Sequence, residues 1–221
     1  SYNVGDDRDH VLANRQKMAE ALGFPLERAV ACQQVHGTHV AVVTEKDAGK
    51  GIYSLEDAIP ETDGMVTDCP QLPLLISFAD CVPILLVDPK RGAIGAVHAG
   101  WRGSVGKILP QALEVMEEAF GTAPRDVMAG IGPSIGPCCY EVSQEVADRA
   151  AAYPSCLKPH GIGHYLLDLW ELNTLELMEA GVPREQIFRA DCCTSCHRDR
   201  FFSYRAEKGK TGRLYGVIYK K

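Results

Sequence analysis

No apolar run in this 221-residue chain approaches the roughly 18 residues that a membrane-spanning helix needs. The longest candidate, Leu72 to Val87, is interrupted by Pro73, Asp80 and Pro83. The first residues lack the charged-then-apolar pattern of a secretion signal. Basic charge is also scarce: 23 Lys and Arg face 29 Asp and Glu, for a net charge of -6. That balance excludes a nucleic-acid binder working through bulk electrostatics but leaves room for a local basic pocket. Gly/Ser linkers, low-complexity tracts and internal repeats are missing too, so residues 1–221 read as one domain. Neither a paired CxxC…CxxC pattern nor a GxxxxGK[ST] phosphate loop occurs.

What is present is the material for a core, with 46% hydrophobic against 24% charged residues. The nine cysteines are an odd number, scattered among long periodic segments that need no staples. They imply a reducing, cytoplasmic setting with thiols free or metal-bound.

Helical spacing from about Asp9 to Leu22 predicts a helix, opened by Asp6 and Asp7 and closed by Gly23. Its stripe is Val11, Arg15, Met18 and Leu22, so Arg15 either snorkels at the edge of the apolar face or reaches inward to an anion. Strands are predicted at Ala29–Gln34, His39–Val43, Leu74–Phe78, Val82–Val87, Ala93–His98 and Met128–Ile131, and closing strands at Ile187–Ala190 and Leu214–Tyr219. Ser104–Phe120 reads as a helix kinked at Pro110, with further helices at Glu141–Ala152 and Leu169–Ala180. Runs of strands with helices inserted late predict an α+β layered domain, mixed β-sheets flanked by helices.

Chemistry concentrates in a few segments. In His98-Ala-Gly-Trp-Arg-Gly-Ser104 a strand ends in a glycine-bracketed turn leading to a helix, and Arg102 adds a fork donor. This outlines an anion pocket or an ordinary strand–turn–helix link. Asp80-Cys81 interrupts two apolar strands; Cys81 is a buried structural thiol, a metal ligand or a nucleophile paired with a histidine. His36 stands alone beside Gly37, and spacing by itself identifies no zinc site. Cys192-Cys193-Thr-Ser-Cys196-His197 has no second half in sequence and is not expected to hold a structural zinc. Gly132-Pro-Ser-Ile-Gly-Pro-Cys138-Cys139 is a stiff turn. Phe202-Ser-Tyr-Arg205 and Thr211-Gly-Arg213 form a basic patch that suits a solvated loop or an anion site.

Taken together, Val4-Gly-Asp-Asp7, Gln33-Gln-Val-His-Gly37, Thr62-Asp-Gly-Met-Val-Thr-Asp68, Ala79-Asp-Cys-Val-Pro83, His98-Ala-Gly-Trp-Arg-Gly-Ser104 and Gly132-Pro-Ser-Ile-Gly-Pro137 resemble a known family. Cys192-Cys193-Thr194 and Thr211-Gly-Arg213 extend the match to the end of the chain. The family is variously called laccase domain, multicopper polyphenol oxidase-like or peptidoglycan editing factor. Its usual strand ahead of the Val-Gly-Asp-Asp motif has no counterpart here.

The resemblance implies zinc held by His36, Cys81 and His98, with copper as an adventitious substitute. It also implies phosphorolysis of adenosine, inosine and methylthioadenosine, and deamination of adenosine. The expected partners are then purine nucleosides and phosphate, with no nucleic acid and no membrane. Within that reading Asp80 serves as proton carrier, while Arg15 and Arg102 supply the phosphate pocket. Two rivals stand beside it: a cysteine hydrolase or amidase using Cys81 and His98, acting for instance on peptidoglycan precursors, and a non-enzymatic metal-dependent scaffold. A multicopper oxidase is excluded, because seven histidines without a His-x-His pair cannot ligate several coppers.

Overall fold

The computed structural model describes the backbone of residues 1–221 and the side chains of all but Asn3. The chain starts with α1 (Arg8–Leu22), capped by the Asp7 carboxylate on the His10 N–H and stopped by Gly23 in the left-handed region at φ 71°. Two short strands follow, β1 (Val30–Ala31) and β2 (Val40–Val42). Then come β3 (Gly64–Thr67), β4 (Leu74–Phe78), β5 (Val82–Asp88) and β6 (Ala93–Ala99). Helices α2 (Trp101–Val105) and α3 (Ile108–Phe120) lead to β7 (Met128–Ile131) and β8 (Glu141–Ser143). The rest comprises α4 (Gln144–Arg149), β9 (Leu157–Pro159), β10 (His164–Leu167), α5 (Leu169–Glu179), β11 (Ile187–Arg189) and β12 (Leu214–Ile218).

Three sheets result, with strand orders β11-β7-β5-β6-β3-β2, β1-β4-β12 and β8-β10-β9. The first two are mixed and the third antiparallel, as the α+β reading with mixed sheets anticipates. Strand alternation builds the layers. On β5, Val82, Ile84 and Leu86 face a core shared with α3 and α5. Ile94 and Ala96 of β6 point the other way, into a second core with Leu74 and Ile76 of β4. Leu75, on the far side of β4, packs toward Ala19 of α1 in a third. His98 follows Ile94 and Ala96 at period two, and so ends the β6 row that lies between the two sheets.

Several expected elements shift, each for a local reason. The strand expected over Ala29–Gln34 shrinks to β1, because its residues beyond Ala31 bond to loops instead: Cys32 bridges Ile59 and Gln33 N–H donates to the Ile59 carbonyl. β4 pairs with β1 and β12 rather than with β5, so the three consecutive strands of the sequence divide between two sheets. The kink expected at Pro110 does not occur. The break lies earlier, at Lys107 with φ 69°, and Pro110 then falls in the first turn of α3, where its missing N–H leaves no hydrogen bond unmade. Glu141–Ser143 is a strand rather than the start of a helix, because it pairs with β10.

α5 carries a buried anomaly. Glu176 is fully buried, neither carboxyl oxygen has a hydrogen-bond partner, and Lys107 Nζ stands 3.7 Å away. Burial pushes its pKa from 4.5 up to about 8, against the opposing pull of Lys107. Between those values the unfolded chain has released a proton that the folded chain still holds, so this group's contribution to stability falls as pH rises through the window. Glu176→Gln should flatten that decline. A gain on the order of 1–3 kcal/mol is expected at pH 8 and almost none below pH 4.5, read from urea melts at both pH values. A loss at pH 8 would show instead that attraction to Lys107 outweighs the cost of burying the carboxylate.

Among the described residues, no helix is long and apolar enough to cross a membrane.

Candidate metal centre and anion pocket

The antiparallel register of β3 against β6 sets Gly64 opposite Val97, which brings Asp63 beside His98. The His98 N–H donates to the Asp63 carbonyl at 2.7 Å, and His98 Nδ1 lies 2.9 Å from Asp63 Oδ1. That contact leaves Nε2 as the free nitrogen of a buried ring. The other Asp63 bonds go to the turn after β1. Val35, His36 and Gly37 donate their N–H groups to the same carboxylate at 3.1, 3.0 and 2.7 Å. Three consecutive amides wrapped around one anion form a nest, and the left-handed backbone of His36, φ 62°, is stabilised by it. Asp63 therefore positions both histidines.

Cys81 completes the group from the residue just ahead of β5. One ligand atom each from His36, Cys81 and His98 lie within 4.8 Å of one another, and the two rings meet edge to face at 4.9 Å. The approach is close enough to need a glycine. A Cβ on Gly100 would sit 3.1 Å from His36 Cδ2 and 3.2 Å from Cys81 Sγ. Burial disfavours the Cys81 thiolate, yet the His98 charge and hydrogen bonds from His36 and His98 outweigh it and bring the thiol down to about 6. Burial likewise opposes a charge on His98, but the Cys81 thiolate and Asp63 hold it up at about 9. Two imidazoles and an easily ionised thiol, with a carboxylate orienting one ring from behind, are a donor set that fits a three-ligand zinc site with an open fourth position.

Two cavities open on this cluster. A smaller one of about 290 Å³ is lined by Gln33, Gln34 and Ser77 as well as His36, Cys81 and His98. The larger, about 510 Å³, has aromatic walls, Trp101, Tyr140 and Tyr204, and three arginines, Arg102, Arg205 and Arg213. Each guanidinium lies over one of the rings: Arg102 on Trp101 at 4.4 Å, Arg205 on Tyr140 at 5.2 Å and Arg213 on Tyr204 at 5.8 Å. Among the described residues none of the three pairs with a carboxylate. Arg205 donates to the Glu141 carbonyl at 2.9 Å and Arg213 to the Thr211 and Gly212 carbonyls at 3.2 and 2.9 Å, but three cations with no carboxylate beside them, facing one cavity of an acidic protein, form a candidate anion site.

The structure thus gathers His36, Cys81 and His98 into one cluster and sets Arg102 on the larger cavity, which His36 and Cys81 also line. It does not bring Arg15 there. Arg15 does face inward and is 3% exposed, but its guanidinium is sealed by the Gly51 carbonyl at 2.8 Å, the Ile52 carbonyl and the Tyr215 hydroxyl, with Tyr2 and Tyr215 rings beside it. Main-chain carbonyls, rather than a ligand, satisfy this buried cation. Asp80 borders the larger cavity, in the left-handed region at φ 81°, but its carboxylate is occupied. Oδ1 accepts from Thr194 Oγ1 at 2.6 Å; Oδ2 accepts from Ser203 Oγ at 3.1 Å and the Arg205 N–H at 2.6 Å. These bonds make it an anchor for the loop that carries Arg205 rather than a free proton carrier. The short α2 also gives Arg102 a place within a five-residue helix, so the guanidinium, not a long helix dipole, supplies the charge.

Sequence patterns assign no role to Asp63 and do not reveal Tyr140. The one signal for Asp63 is a charged residue abutting the apolar strand Gly64–Thr67, where a buried carboxylate needs donors. Arg205 and Arg213 are visible as a basic patch, and folding turns that patch inward.

The whole chain, residues 1–221, matches the family described as multi-copper polyphenol oxidoreductase laccase. It is 44% identical over 221 residues to purine nucleoside phosphorylase YlmD of Geobacillus stearothermophilus, covering 98% of this chain and 81% of that one. To adenosine deaminase RL5, from an unknown prokaryotic organism, it is 35% identical over 229 residues, covering 99% and 85%. The crystal structure of YlmD from Geobacillus stearothermophilus superposes with a TM-score of 0.97 at 42% identity, covering all of this chain and 84% of that one.

Proposed function

Since the chain belongs to the multi-copper polyphenol oxidoreductase laccase family, we propose that it is a cytoplasmic, zinc-dependent purine nucleoside enzyme. It cleaves adenosine, inosine and methylthioadenosine with phosphate, and deaminates adenosine. The observation that carries the reading is the convergence of the His36–Cys81–His98 group with an aromatic cavity holding three arginines with no carboxylate beside them. The names of the relatives, a phosphorylase and a deaminase, support the two activities. The free state of all nine cysteines suits a reducing compartment.

Zinc held by His36, Cys81 and His98 would supply Lewis acidity and bring the pKa of a water toward about 7. The rest falls to this chain's own residues. Trp101, Tyr140 and Tyr204 offer flat apolar faces to a purine. Arg102, Arg205 and Arg213 hold phosphate and neutralise it. In phosphorolysis a phosphate oxygen bonds to C1′ while the C1′–N9 bond breaks, its electron pair leaving with the purine, which takes up a proton. As the ribosyl centre becomes cationic, a phosphate fixed beside it is both nucleophile and counter-charge, so positioning does most of the work. In deamination a water adds at C6 and ammonia leaves, without phosphate.

Both reactions are redox-neutral, which favours zinc and leaves copper an adventitious substitute. Among the described residues only one His-containing cluster occurs, so a multicopper centre has no ligands to stand on. A cysteine-hydrolase reading has one observation in its favour, the Asp63–His98–Cys81 chain, which has the order of an orienting acid, base and nucleophile. His36 sets the two apart: a nucleophile needs no third donor, whereas a metal does. Chelation followed by stepwise zinc return decides it, since a metalloenzyme loses turnover and regains it, and a thiol hydrolase is released by the chelator.

The direct test is turnover of adenosine with and without phosphate, with products identified. Adenine and ribose 1-phosphate with phosphate, and inosine without it, are expected. Absence of both would overturn the proposal. Arg102→Ala should raise KM for phosphate about 10- to 100-fold, the effect of losing one charge-assisted hydrogen bond of about 1.5–3 kcal/mol, while deamination changes far less. Equal loss of both activities would make Arg102 a structural residue.

A further inference from the structure

Four cysteines converge away from the His36 cluster. Cys138 and Cys139 follow the Gly132–Pro137 turn, and Cys193 and Cys196 lie more than fifty residues further on, Cys196 being 58 residues from Cys138 and 57 from Cys139. Their sulfurs all lie within 4.8 Å of one another. Sγ of Cys196 is 3.6 Å from Cys138 and 3.4 Å from Cys139. Those separations are far beyond a bonded sulfur pair at about 2.05 Å. They match the edges of a tetrahedron around zinc, for which a Zn–S bond of about 2.3 Å gives sulfur–sulfur edges near 3.8 Å. Cys193 and Cys196 form a Cys-x-x-Cys turn, closed by the His197 N–H on the Cys193 carbonyl at 3.1 Å. The Gly136 N–H points at Cys193 Sγ at 3.2 Å, a backbone donor of the kind that stabilises a ligating thiolate. The second half that the Cys192–His197 segment lacks in sequence is thus supplied in space by Cys138 and Cys139.

We propose that these four cysteines bind a second zinc ion, structural rather than catalytic. With four protein thiolates around it no coordination position stays open. What it would hold is the wall of the larger cavity. The segment from Asp191 to Gly212 contains no helix or strand, so few ladder hydrogen bonds fix it. Its backbone-to-backbone links to the Gly132–Tyr140 turn are two: Ser134 N–H to the Cys192 carbonyl at 3.2 Å, and Thr194 N–H to the Ser134 carbonyl at 3.0 Å. A metal across both segments would staple Tyr140 to the loop carrying Tyr204 and Arg205. Thr194, between two of the ligands, carries the tie to Asp80 beside Cys81. This role is independent of which reaction the first centre performs.

The test is metal content per chain of protein purified and kept reduced, with variants that separate the sites. Wild type should carry two zinc ions, Cys139→Ser/Cys196→Ser one, and Cys81→Ala one. Cobalt exchanged into Cys81→Ala should show the intense thiolate-to-cobalt charge-transfer absorption of four sulfur ligands, and the paired serine variant should lack it. If the serine variant does not fold, the metal remaining in Cys81→Ala and its cobalt spectrum still decide the question. In wild type, the segment 191–212 should become markedly more sensitive to protease once its thiols are alkylated and one zinc is released. A Cys81→Ala protein without metal would overturn the proposal. So would intact masses of freshly isolated, unreduced protein lower by a pair of hydrogens, which would show a disulfide in place of the metal.

Discussion

Asp63→Ala is expected to cost about 3–5 kcal/mol of stability, the range for removing one partner of a buried charged pair. The substitution leaves the Val35, His36 and Gly37 N–H groups and His98 Nδ1 facing an empty pocket in a fully buried place. The loss does not stop at stability. Without the nest, His36 has no reason to keep φ 62°, and without Oδ1 the His98 ring is free to turn. Zinc affinity should therefore fall about 10- to 100-fold, as for other outer partners of metal-ligating histidines. Thermal melts and zinc competition against a chelator measure the two effects. Asp63→Asn separates them: it keeps the volume and one acceptor oxygen, but its NH2 opposes donors, so it should fold better than the alanine variant and still bind zinc weakly. Unchanged zinc affinity in both variants would remove Asp63 from the positioning role.

Cys81→Ala is expected to abolish the two proposed nucleoside activities and to lower the metal content by one ion per chain while the protein stays folded. Removing a ligand must cost more than the loss of a partner behind one, so affinity at that centre should drop by more than about 100-fold. The fold should survive because Asp63 still ties the His36 turn to His98, and Cys81 makes no backbone pairing that alanine cannot keep. Metal analysis against a melt separates the outcomes. Retention of the full metal content would sink the assignment of Cys81 as a ligand. Loss of the fold would show instead that the thiol is part of the core.

These two effects fall on residues of unequal legibility. Periodicity placed β4, β5, β6 and β7 closely, because each buries one face or both in a short apolar run; α1 was legible from its Asp7 and Gly23 caps, but of its expected stripe Leu22 is 55% exposed and Ala19 is buried beside Val11 and Arg15 instead. β8, β9 and β10 escaped it. They form a small antiparallel sheet of three- and four-residue strands, partly exposed and rich in polar residues, whose pairing rather than composition makes them strands. Pro110 misled for a related reason: proline is a breaker inside a helix and harmless in its first turn, and which of these applies depends on where the helix starts.

Local chemistry in the chain already determined much. The Asp7 and Gly23 caps, the alternation that ends at His98, the basic Arg205–Arg213 stretch and the choice of an α+β layered arrangement follow from residue types and spacing over a few turns. Only the tertiary structure decided which of these meet. β3–β6 register put Asp63 behind His98; strand pairing brought His36 and Cys81 to the same end of the sheet. Folding closed carbonyls over Arg15, drew Arg205 and Arg213 over aromatic rings, and set Cys138 and Cys139 against Cys193 and Cys196. Spacing along a chain reports contacts only where backbone geometry fixes distance, over a turn of helix or a pair of strand residues. Contacts between segments tens of residues apart depend on how apolar faces stack and which strands pair, and that is settled by the burial of the whole core.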